Sequence, residues 1–349
     1  MDSKTFTGPG DTQAVRELMD KQKALFDQHK ADAAARGVDL MEERIARYLT
    51  TWREAVAFAP PGATVLDIGP GWMPPPLFDL LIHDLRLDYH AQDVEPTFVD
   101  DLAKRCTGLL PAQNFRAGEV SRVAFDKTFD LVFSSHCLEH SVDIVSSLVE
   151  IRRVLRENAC LFMCVPLGLD LSDEHLLFHG PDEWVAMIQA AGFEVEKCTV
   201  GRIYAGAEVV IVARRSAGRA PDELLARAIA ARFAKVGRTF LPHTHAAFQF
   251  PASARRERDH TVLQQAGDAC RILFPANPTT VAIVRLDWAG SLVIEDGTRQ
   301  LAVDAYHPFF HLHGVDITGF GREVTIRVVG RNGLSHASQG VIAGALVAS

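Results

Sequence analysis

The stretch VLDIGPG at residues 65–71 decides the fold of this chain. It begins as a short apolar strand and ends in Gly69 and Gly71, which let the backbone turn sharply and approach a ligand closely. The next predicted strand, RLDYHAQD, ends in Asp93. A carboxylate there can accept hydrogen bonds from both hydroxyls of a ribose. A glycine turn after one strand and an acid at the end of the next are typical of a nucleoside-binding site.

The glycine pattern is incomplete, because position 74 is proline and the full GxGxxG is absent. This disfavours a dehydrogenase that cradles the phosphates of a dinucleotide. An ordinary strand-to-helix turn is the competing interpretation of the two glycines.

Strands and helices alternate around this stretch. Predicted strands cover 63–68, 86–93, 113–118, 129–135, 159–166, 193–201 and 207–215. Predicted helices cover 77–85, 98–106, 143–157 and 181–193. The last two strands are joined by a short glycine-containing turn and predict a hairpin. The order indicates an α/β doubly wound, Rossmann-like sheet, mainly parallel, with one antiparallel strand at or near its edge.

The flanking segments suggest further domains. Apolar residues recur at helical spacing within residues 12–59, so we expect residues 1–60 to form an N-terminal helical cap on the domain at 61–215. A polar stretch and one helix predict a linker at 216–237. Residues 238–349 contain short strands separated by glycine-rich turns, which favours an all-β sandwich or jelly roll. The expected strands are RILF, TVAIVRL, SLVIEDG, QLAVDAY, FFHLHGV, EVTIRVVG and VIAGALVA.

Composition excludes several classes of protein. The chain has 349 residues, of which 48% are hydrophobic and 23% charged, as expected of a globular protein with about two domains. Its formal net charge of −8 lacks the basic footprint of a nucleic-acid binder. The six cysteines form no CxxC pair and suggest reduced thiols in a cytoplasmic protein. We expect neither a signal peptide nor a membrane span.

Several segments in the right order resemble the class I S-adenosylmethionine-dependent methyltransferases, over about residues 40–215. The segments are VLDIGPG at 65–71, FDLVFSSHCLEHSVD at 129–143, RRVLRENACLFMCVP at 152–166 and HLLFHGPDEWVAMIQAAGFEV at 175–195. The chain departs from the family where Met73 replaces the third glycine, Glu157-Asn158-Ala159 replaces the usual PGG, and Gly118-Glu119 replaces the usual GD.

The resemblance implies S-adenosylmethionine as cofactor and assigns roles to residues of this chain. Gly69 and Gly71, with Asp67 behind them, would face the methionine part, and Asp93 would hold the ribose hydroxyls. Glu119 and Val120 are implied at the edge of the adenine. Ser135 and His136 are implied beside the sulfonium.

The stretch HCLEH at 136–140 admits three interpretations. His136 is a candidate general base that takes a proton from an acceptor hydroxyl. Alternatively His136, Glu139 and His140 bind a metal. Ubiquinone-type O-methyltransferases resemble this segment at Glu139 and His140, but His136 departs from them. In the third interpretation His140 only makes a structural hydrogen bond. We favour a site without a resident metal, with His136, His140, His175 and His179 as the catalytic, acceptor-side candidates.

Residues 288–306 and 323–348 resemble the last strands of a galactose-binding-like β jelly roll. That resemblance implies carbohydrate binding, and the alternative is a packing or dimerisation module. Ring and donor side chains suited to a sugar are Trp288, Tyr306, His307, His311, His313 and Arg331.

Three functions are therefore considered. The first is O-methylation of a sugar or glycan hydroxyl by direct in-line transfer with a histidine base. The second is O- or N-methylation of a small natural product, with a structural β domain. The third is a non-enzymatic S-adenosylmethionine-binding module. The expected partner is a small-molecule or glycan acceptor, with a homo-oligomer as an option.

Overall fold

A computed structural model describes residues 3–6, 31, 34–35, 40–171, 175–203 and 206–349. The chain divides into two compact units. The α/β unit comprises Pro9–Pro166 and Pro181–Ala230, and the β unit comprises Met1–Gly8, Leu167–Gly180 and Ala231–Ser349. Of the helical segment predicted within residues 12–59, most of residues 12–39 lies outside the described residues.

The α/β unit contains one seven-stranded sheet with helices between its strands. Its helices are α1 (Leu40–Val56), α2 (Pro75–Phe78), α3 (Pro96–Arg105), α4 (Ile144–Val154), α5 (Pro181–Ala190) and α6 (Glu223–Arg232). With β1 (Lys4–Phe6) assigned to the β unit, its strands are β2 (Thr64–Ile68), β3 (Asp88–Asp93), β4 (Phe115–Ala117), β5 (Phe129–Ser135), β6 (Leu155–Pro166), β7 (Phe193–Ile203) and β8 (Gly206–Arg215).

The strand order confirms the predicted doubly wound sheet. It is β4-β3-β2-β5-β6-β8-β7, with every pair from β4 to β6 parallel and β8 antiparallel to both β6 and β7. The antiparallel strand is therefore second from the edge. Parallel strands all end at the same edge of a sheet, so β2, β3, β5 and β6 present their last residues together, and β8 starts at that edge because it runs the opposite way.

The helix predicted at 77–85 differs in detail from the observed one. Helix α2 begins at Pro75, because Pro74 is extended and a proline at the first helical position is already suited to the helix. A π-helical turn, Asp79–Asp84, continues it, and the backbone N–H of Leu85 donates to the carbonyl of Leu80. The strand predicted at 159–166 is also shorter than the observed strand, because β6 already begins at Leu155.

Helix α1 covers one face of this sheet with aromatic side chains. The ring of Trp52, which is 1% exposed, stacks on Phe133 with centroids 3.9 Å apart. Phe133 in turn stacks on Phe162 of the neighbouring strand at 5.7 Å. This buried row anchors α1 to the centre of the sheet through aromatic contacts.

The β unit consists of two antiparallel sheets. Besides β1, its strands are β9 (Arg238–Pro242), β10 (Phe248–Gln249), β11 (Arg255–Arg256), β12 (Thr261–Leu263), β13 (Ala269–Leu273), β14 (Pro278–Arg285), β15 (Ser291–Glu295), β16 (Gln300–Asp304), β17 (His311–Asp316), β18 (Glu323–Gly330) and β19 (Gly340–Ala348). One sheet has the order β1-β9-β19-β12-β11 with β14 joining β19 to β17, and the other has the order β10-β13-β18-β15-β16.

Both sheets of the β unit contribute to one apolar core. Ile283 and Ile342 come from the first sheet, and Ile272, Leu292 and Ile326 come from the second. The seven strands expected from the sequence are all present, and the finer jelly-roll expectation stays a prediction. Within the described part of the chain, no helix has the length and apolar character needed to cross a membrane.

The boundaries of the two units differ from the division expected from the sequence. Residues 167–180 belong to the β unit, although they interrupt the α/β segment in sequence. The N–H of Leu169 donates to the carbonyl of Leu312, and Leu177 bridges to Ala234. These contacts form between residues far apart in sequence, so the local pattern of the chain gave no sign of them.

Candidate active site at the carboxyl edge of the α/β sheet

The glycine turn after β2 has the backbone that only glycine adopts readily. Gly69 and Gly71 have φ angles of +70° and +56°. The N–H of Gly69 donates to the carbonyl of Gln92, and a Cβ at Gly69 would lie 2.5 Å from the Sγ of Cys137. A Cβ at Gly71 would meet nothing within 4 Å. The backbone at Gly71 therefore faces open space that a ligand can approach.

Asp93, at the end of β3, lies against this turn. Its Oδ2 accepts a hydrogen bond from the N–H of Gly71 at 3.0 Å, and its Oδ1 accepts one from Glu95 at 2.9 Å. Burial raises the pKa of the Asp93 carboxyl, although the two backbone donors oppose that shift. An ionised carboxylate offers about four lone-pair sites, so Asp93 can hold the turn and still accept from a ribose hydroxyl.

Asp67 lies behind the glycine turn, within β2. It is buried, and its Oδ2 accepts a hydrogen bond from the hydroxyl of Tyr89 at 2.7 Å. Burial raises the pKa of Asp67 to about 7, with a further contribution from the nearby charge of Asp93, while the Tyr89 hydroxyl lowers it. A buried acid with so perturbed a pKa is typical of functional sites.

The predicted adenine edge is held by a buried amide that sequence reasoning missed. Gln92, only 1% exposed, donates from Nε2 to the carbonyl of Glu119 at 2.7 Å and accepts at Oε1 from the N–H of Ala124 at 2.8 Å. The N–H of Gly118 donates to the carbonyl of Asp93. Glu119 and Val120 are thus positioned beside the end of β3, next to the carboxylate predicted to hold the ribose.

The end of β5 carries a strained residue. Ser135 closes the strand, and His136 follows with a φ of +53°, a left-handed conformation that is uncommon for a residue other than glycine. The N–H of His136 donates to the carbonyl of Cys164 on β6 at 2.9 Å, which ties the turn to the neighbouring strand. Such strain persists only where the surrounding structure imposes it, and it clusters at functional sites.

The imidazole of His136 is placed between two buried carboxylates. Its Nε2 lies 3.3 Å from Oε2 of Glu208, and its Nδ1 lies 3.6 Å from Oε1 of Glu139. Both acids are 2% exposed. Arg47 of α1 forms an ion pair with the other oxygen of Glu208, and His140 Nε2 lies 3.8 Å from Glu139. The result is a cluster of alternating basic and acidic side chains, which we call the His136 cluster: Arg47, Glu208, His136, Glu139 and His140.

Two members of this cluster were missed by sequence reasoning. Glu208 is the one charged residue in the stretch AEVVIVA at 207–213, and a lone acid in a buried strand was the signal that could have found it. Arg47 gave no signal, because a charged residue on a helix is usually a solvated one.

His175 and His179 belong to the β unit and have neighbours there. His175 Nδ1 lies 2.6 Å from Oδ2 of Asp170. The ring of His179, 1% exposed, is 5.3 Å from that of Phe233. Their predicted acceptor-side role stays a prediction.

Three of the candidate sugar-binding residues of the β unit lie together. The rings of His307 and His311 have centroids 4.5 Å apart, and those of His311 and His313 are 5.9 Å apart. The Nδ1 atoms of His307 and His311 are each 3.0 Å from the carbonyl oxygen of Phe309. The neighbouring Phe310 is exposed to 69%. Trp288 is half-buried beside the core, and Arg331 is exposed.

Comparison with known proteins shows which family the region of this site resembles. Residues 66–163 match the family model described as a methyltransferase domain. The matched range contains the glycine turn, Asp93 and His136, so the similarity to methyltransferases covers the site described above. A search of curated proteins gave no match.

Solved structures are similar to about half of the chain. The 1,6-didemethyltoxoflavin-N1-methyltransferase of Burkholderia thailandensis, solved with 1,6-didemethyltoxoflavin and S-adenosylhomocysteine, is 20% identical, with 56% of this chain and 89% of that chain covered and a TM-score of 0.40. The N-methyltransferase NodS of Bradyrhizobium japonicum WM9 is 13% identical, with 51% and 99% covered and a TM-score of 0.40. Similarities this low say nothing about the substrate of this chain.

Proposed function

We propose that the protein is an S-adenosylmethionine-dependent methyltransferase that methylates a hydroxyl group of its acceptor. The observation that carries the proposal is the backbone hydrogen bond from Gly71 to Asp93. It joins the glycine turn and the acid of a nucleoside-binding site at one edge of the sheet, within the range that matches a methyltransferase domain.

The residues present fit that cofactor. The open space at Gly71 admits a ligand to the backbone, and Asp93 has lone pairs for ribose hydroxyls. Asp67 is a buried acid whose raised pKa a cationic ligand would lower. When bound, the cofactor would supply an electrophilic methyl group on a sulfonium.

The chain's own residues must align the acceptor oxygen with the methyl carbon and sulfur, and exclude water. Such orientation supplies several kcal/mol of barrier reduction. With the cofactor bound, methyl transfer to the acceptor oxygen would release the hydroxyl proton, which a residue of this chain must accept. His136, next to Ser135 at the end of β5, is the group we assign to take that proton.

We propose a sugar or glycan hydroxyl as the acceptor, with the β unit as a jelly-roll-type module that binds carbohydrate. The supporting observation is the exposed ring of Phe310, three residues after the partly buried His307, because an exposed aromatic ring and a histidine can stack on a sugar and donate to its hydroxyls. A binding module in the same chain raises the local concentration of acceptor at the catalytic site.

A second candidate is methylation of a small amine, with a structural β unit. Two buried acids, Glu139 and Glu208, face His136 within 3.6 Å, and their charge favours a cationic acceptor. Activity on a panel of neutral sugars and of amines, with S-adenosylmethionine, separates the two candidates. Transfer confined to amines would remove the glycan proposal.

The cofactor assignment is tested by calorimetry with S-adenosylhomocysteine. Asp93→Ala removes a charge-assisted acceptor, and we expect about 10–100-fold weaker binding. The matched control is Asp101→Ala, an exposed acid on α3 that pairs with Arg105 and should leave affinity unchanged. If the wild-type protein does not bind S-adenosylhomocysteine, the proposed function is wrong.

A further inference from the structure

We propose that Glu208, anchored by Arg47, is a positioning residue that orients the imidazole of His136 and determines which of its nitrogens carries the proton. The inference rests on the proposed function, in which His136 is the base. Glu208 lies outside the range that matches the methyltransferase domain, and it acts on the acceptor only through His136.

The first step of the argument is the contact itself. Oε2 of Glu208 lies 3.3 Å from Nε2 of His136, whereas the nearest oxygen of Glu139 lies 3.6 Å from Nδ1. An N–H···O bond has a donor–acceptor distance near 3 Å and weakens as that distance grows. The neutral ring is therefore held with its N–H at Nε2 and its lone pair at Nδ1.

The second step is the origin of this contact in the sheet. Glu208 is opposite Pro166, the last residue of β6, because β8 runs antiparallel to that strand. His136 follows β5 directly, and its N–H is bonded to Cys164 of the same β6. The strand pairing thus brings a carboxylate from the start of β8 to a histidine that follows β5.

The third step is the charge of Glu208. An isolated carboxylate that is 98% buried is strongly unfavourable, and its usual response is to take up a proton. The guanidinium of Arg47 provides a counter-charge at the opposite oxygen. We infer that Arg47 keeps Glu208 ionised, and that the ionised Glu208 stabilises the imidazolium formed when His136 accepts a proton.

The groups that face His136 are on three elements of the described chain. They are Glu139 and His140 on the turn after β5, Glu208 on β8, and Arg47 on α1 beyond Glu208. Glu139 also favours the imidazolium, so removal of Glu208 should lower the pKa of His136 without abolishing its titration.

The test measures the tautomer and titration of His136 by ¹H–¹⁵N imidazole NMR, with the signals assigned by comparison with His136→Asn. Asparagine tolerates the left-handed backbone, so this variant removes the ring with little added strain. In the wild-type protein we expect the neutral ring to be protonated at Nε2. In Glu208→Gln the pKa of His136 should fall by about one unit or more, because an opposite charge within 4–6 Å is lost.

Two further variants complete the experiment. Arg47→Met removes the counter-charge of Glu208, which should then take up a proton, so the pKa of His136 should fall as it does in Glu208→Gln. The matched control is Glu196→Gln, which removes the acid of a surface ion pair with Arg214 on the same sheet and should leave His136 unchanged. A role in folding alone would not lower the pKa of one histidine in both variants while the control leaves it unchanged.

The outcomes are distinct from those of the cofactor test. A wild-type ring protonated at Nδ1, or an unchanged pKa in Glu208→Gln, overturns the positioning role, and an unchanged or raised pKa in Arg47→Met overturns the anchoring role. The wild-type tautomer needs no variant, so the proposal is testable even where a variant fails to fold. Binding of S-adenosylhomocysteine by the same samples reports the proposed function separately.

Discussion

The two units of this protein differ in the number of buried acids that they contain. In the α/β unit four acids are at most 3% exposed: Asp67, Asp93, Glu139 and Glu208. In the described β unit the one buried acid is Asp268, whose oxygens accept hydrogen bonds from Ser253, Gln264 and Gln265. Buried charge is unfavourable unless it is compensated. The α/β unit therefore concentrates buried acids, whereas the one buried acid of the described β unit is held by hydrogen bonds from residues of that unit.

Backbone strain follows the same division. The described residues other than glycine with positive φ are Arg86, His136 and Asn158, all in the α/β unit. In the β unit the described positive-φ positions are glycines, such as Gly267 and Gly297. Strain and buried acids thus occur together in the unit that matches a methyltransferase domain, which is what a site organised for chemistry rather than for stability requires.

Among the variants that test this difference between the two units, Gly69→Ala should have the largest effect on stability and on cofactor affinity. The new Cβ would lie 2.5 Å from the Sγ of Cys137 at a φ of +70°, so overpacking and backbone strain add to roughly 3–5 kcal/mol. Binding of S-adenosylhomocysteine should weaken more than 100-fold. The matched variant is Gly71→Ala, where a Cβ meets nothing and about 1–2 kcal/mol of strain is expected. Urea unfolding measures the stability of both variants, and calorimetry measures their affinity for S-adenosylhomocysteine. Equal losses of stability in the two variants would contradict the packing argument.

A comparable loss of stability in the β unit should leave the cofactor site intact. Ile326→Ala removes a fully buried side chain from the core shared by the two sheets and should cost about 2–5 kcal/mol. Hydrogen exchange measured by mass spectrometry should show the loss in peptides of the β unit. The affinity for S-adenosylhomocysteine should match that of the wild type. A tenfold decrease would contradict the assignment of the cofactor site to the α/β unit.

The pH dependence of stability should have opposite signs in the two units. The folded pKa of Asp67 is about 7, above its ordinary value of 3.8, so its contribution falls as pH rises from about 4 to 7, by on the order of 3 kcal/mol. Burial lowers the pKa of His311 from 6.5 to about 4, so its contribution is lost as pH falls through that range. Urea unfolding at pH 5 and pH 8 should show the greatest gain for Asp67→Asn at pH 8 and for His311→Asn at pH 5. The reverse order would show that the two groups are not buried as described.

The smallest effect concerns the helix that follows the His136 cluster. Asp143 caps α4 by accepting a hydrogen bond from the N–H of Ser146 at 3.0 Å, and Arg227 donates to the same carboxylate. Asp143→Ala should cost about 1 kcal/mol, a normal value for an N-cap. Asp143→Asn keeps the cap without the charge, so it should retain most of this stability, as measured by thermal unfolding. A loss of cofactor affinity in either variant would extend the functional site to this cap.

Much of the α/β unit could be predicted from the sequence because its signals are local. Alternating apolar runs predict strands and helices, and parallel strands must end at one edge, so the proximity of Gly71 and Asp93 follows from order alone. The seven late strands of the β unit were predicted from the same kind of signal. The π-helical turn at Asp79–Asp84 was missed because its bonding is not encoded in apolar spacing.

The tertiary structure alone decided the partners of His136 and the composition of the two units. Glu208 reaches His136 because β8 enters the sheet antiparallel beside β6, and Arg47 reaches Glu208 from α1, 161 residues earlier in the chain. Likewise residues 167–180 join the β unit through contacts such as that of Leu169 with Leu312. Periodicity specifies which face of an element is buried, but it does not specify what that face meets. The sequence by itself therefore determined the elements, the glycine turn and its acid, whereas long-range pairing determined which charges became neighbours.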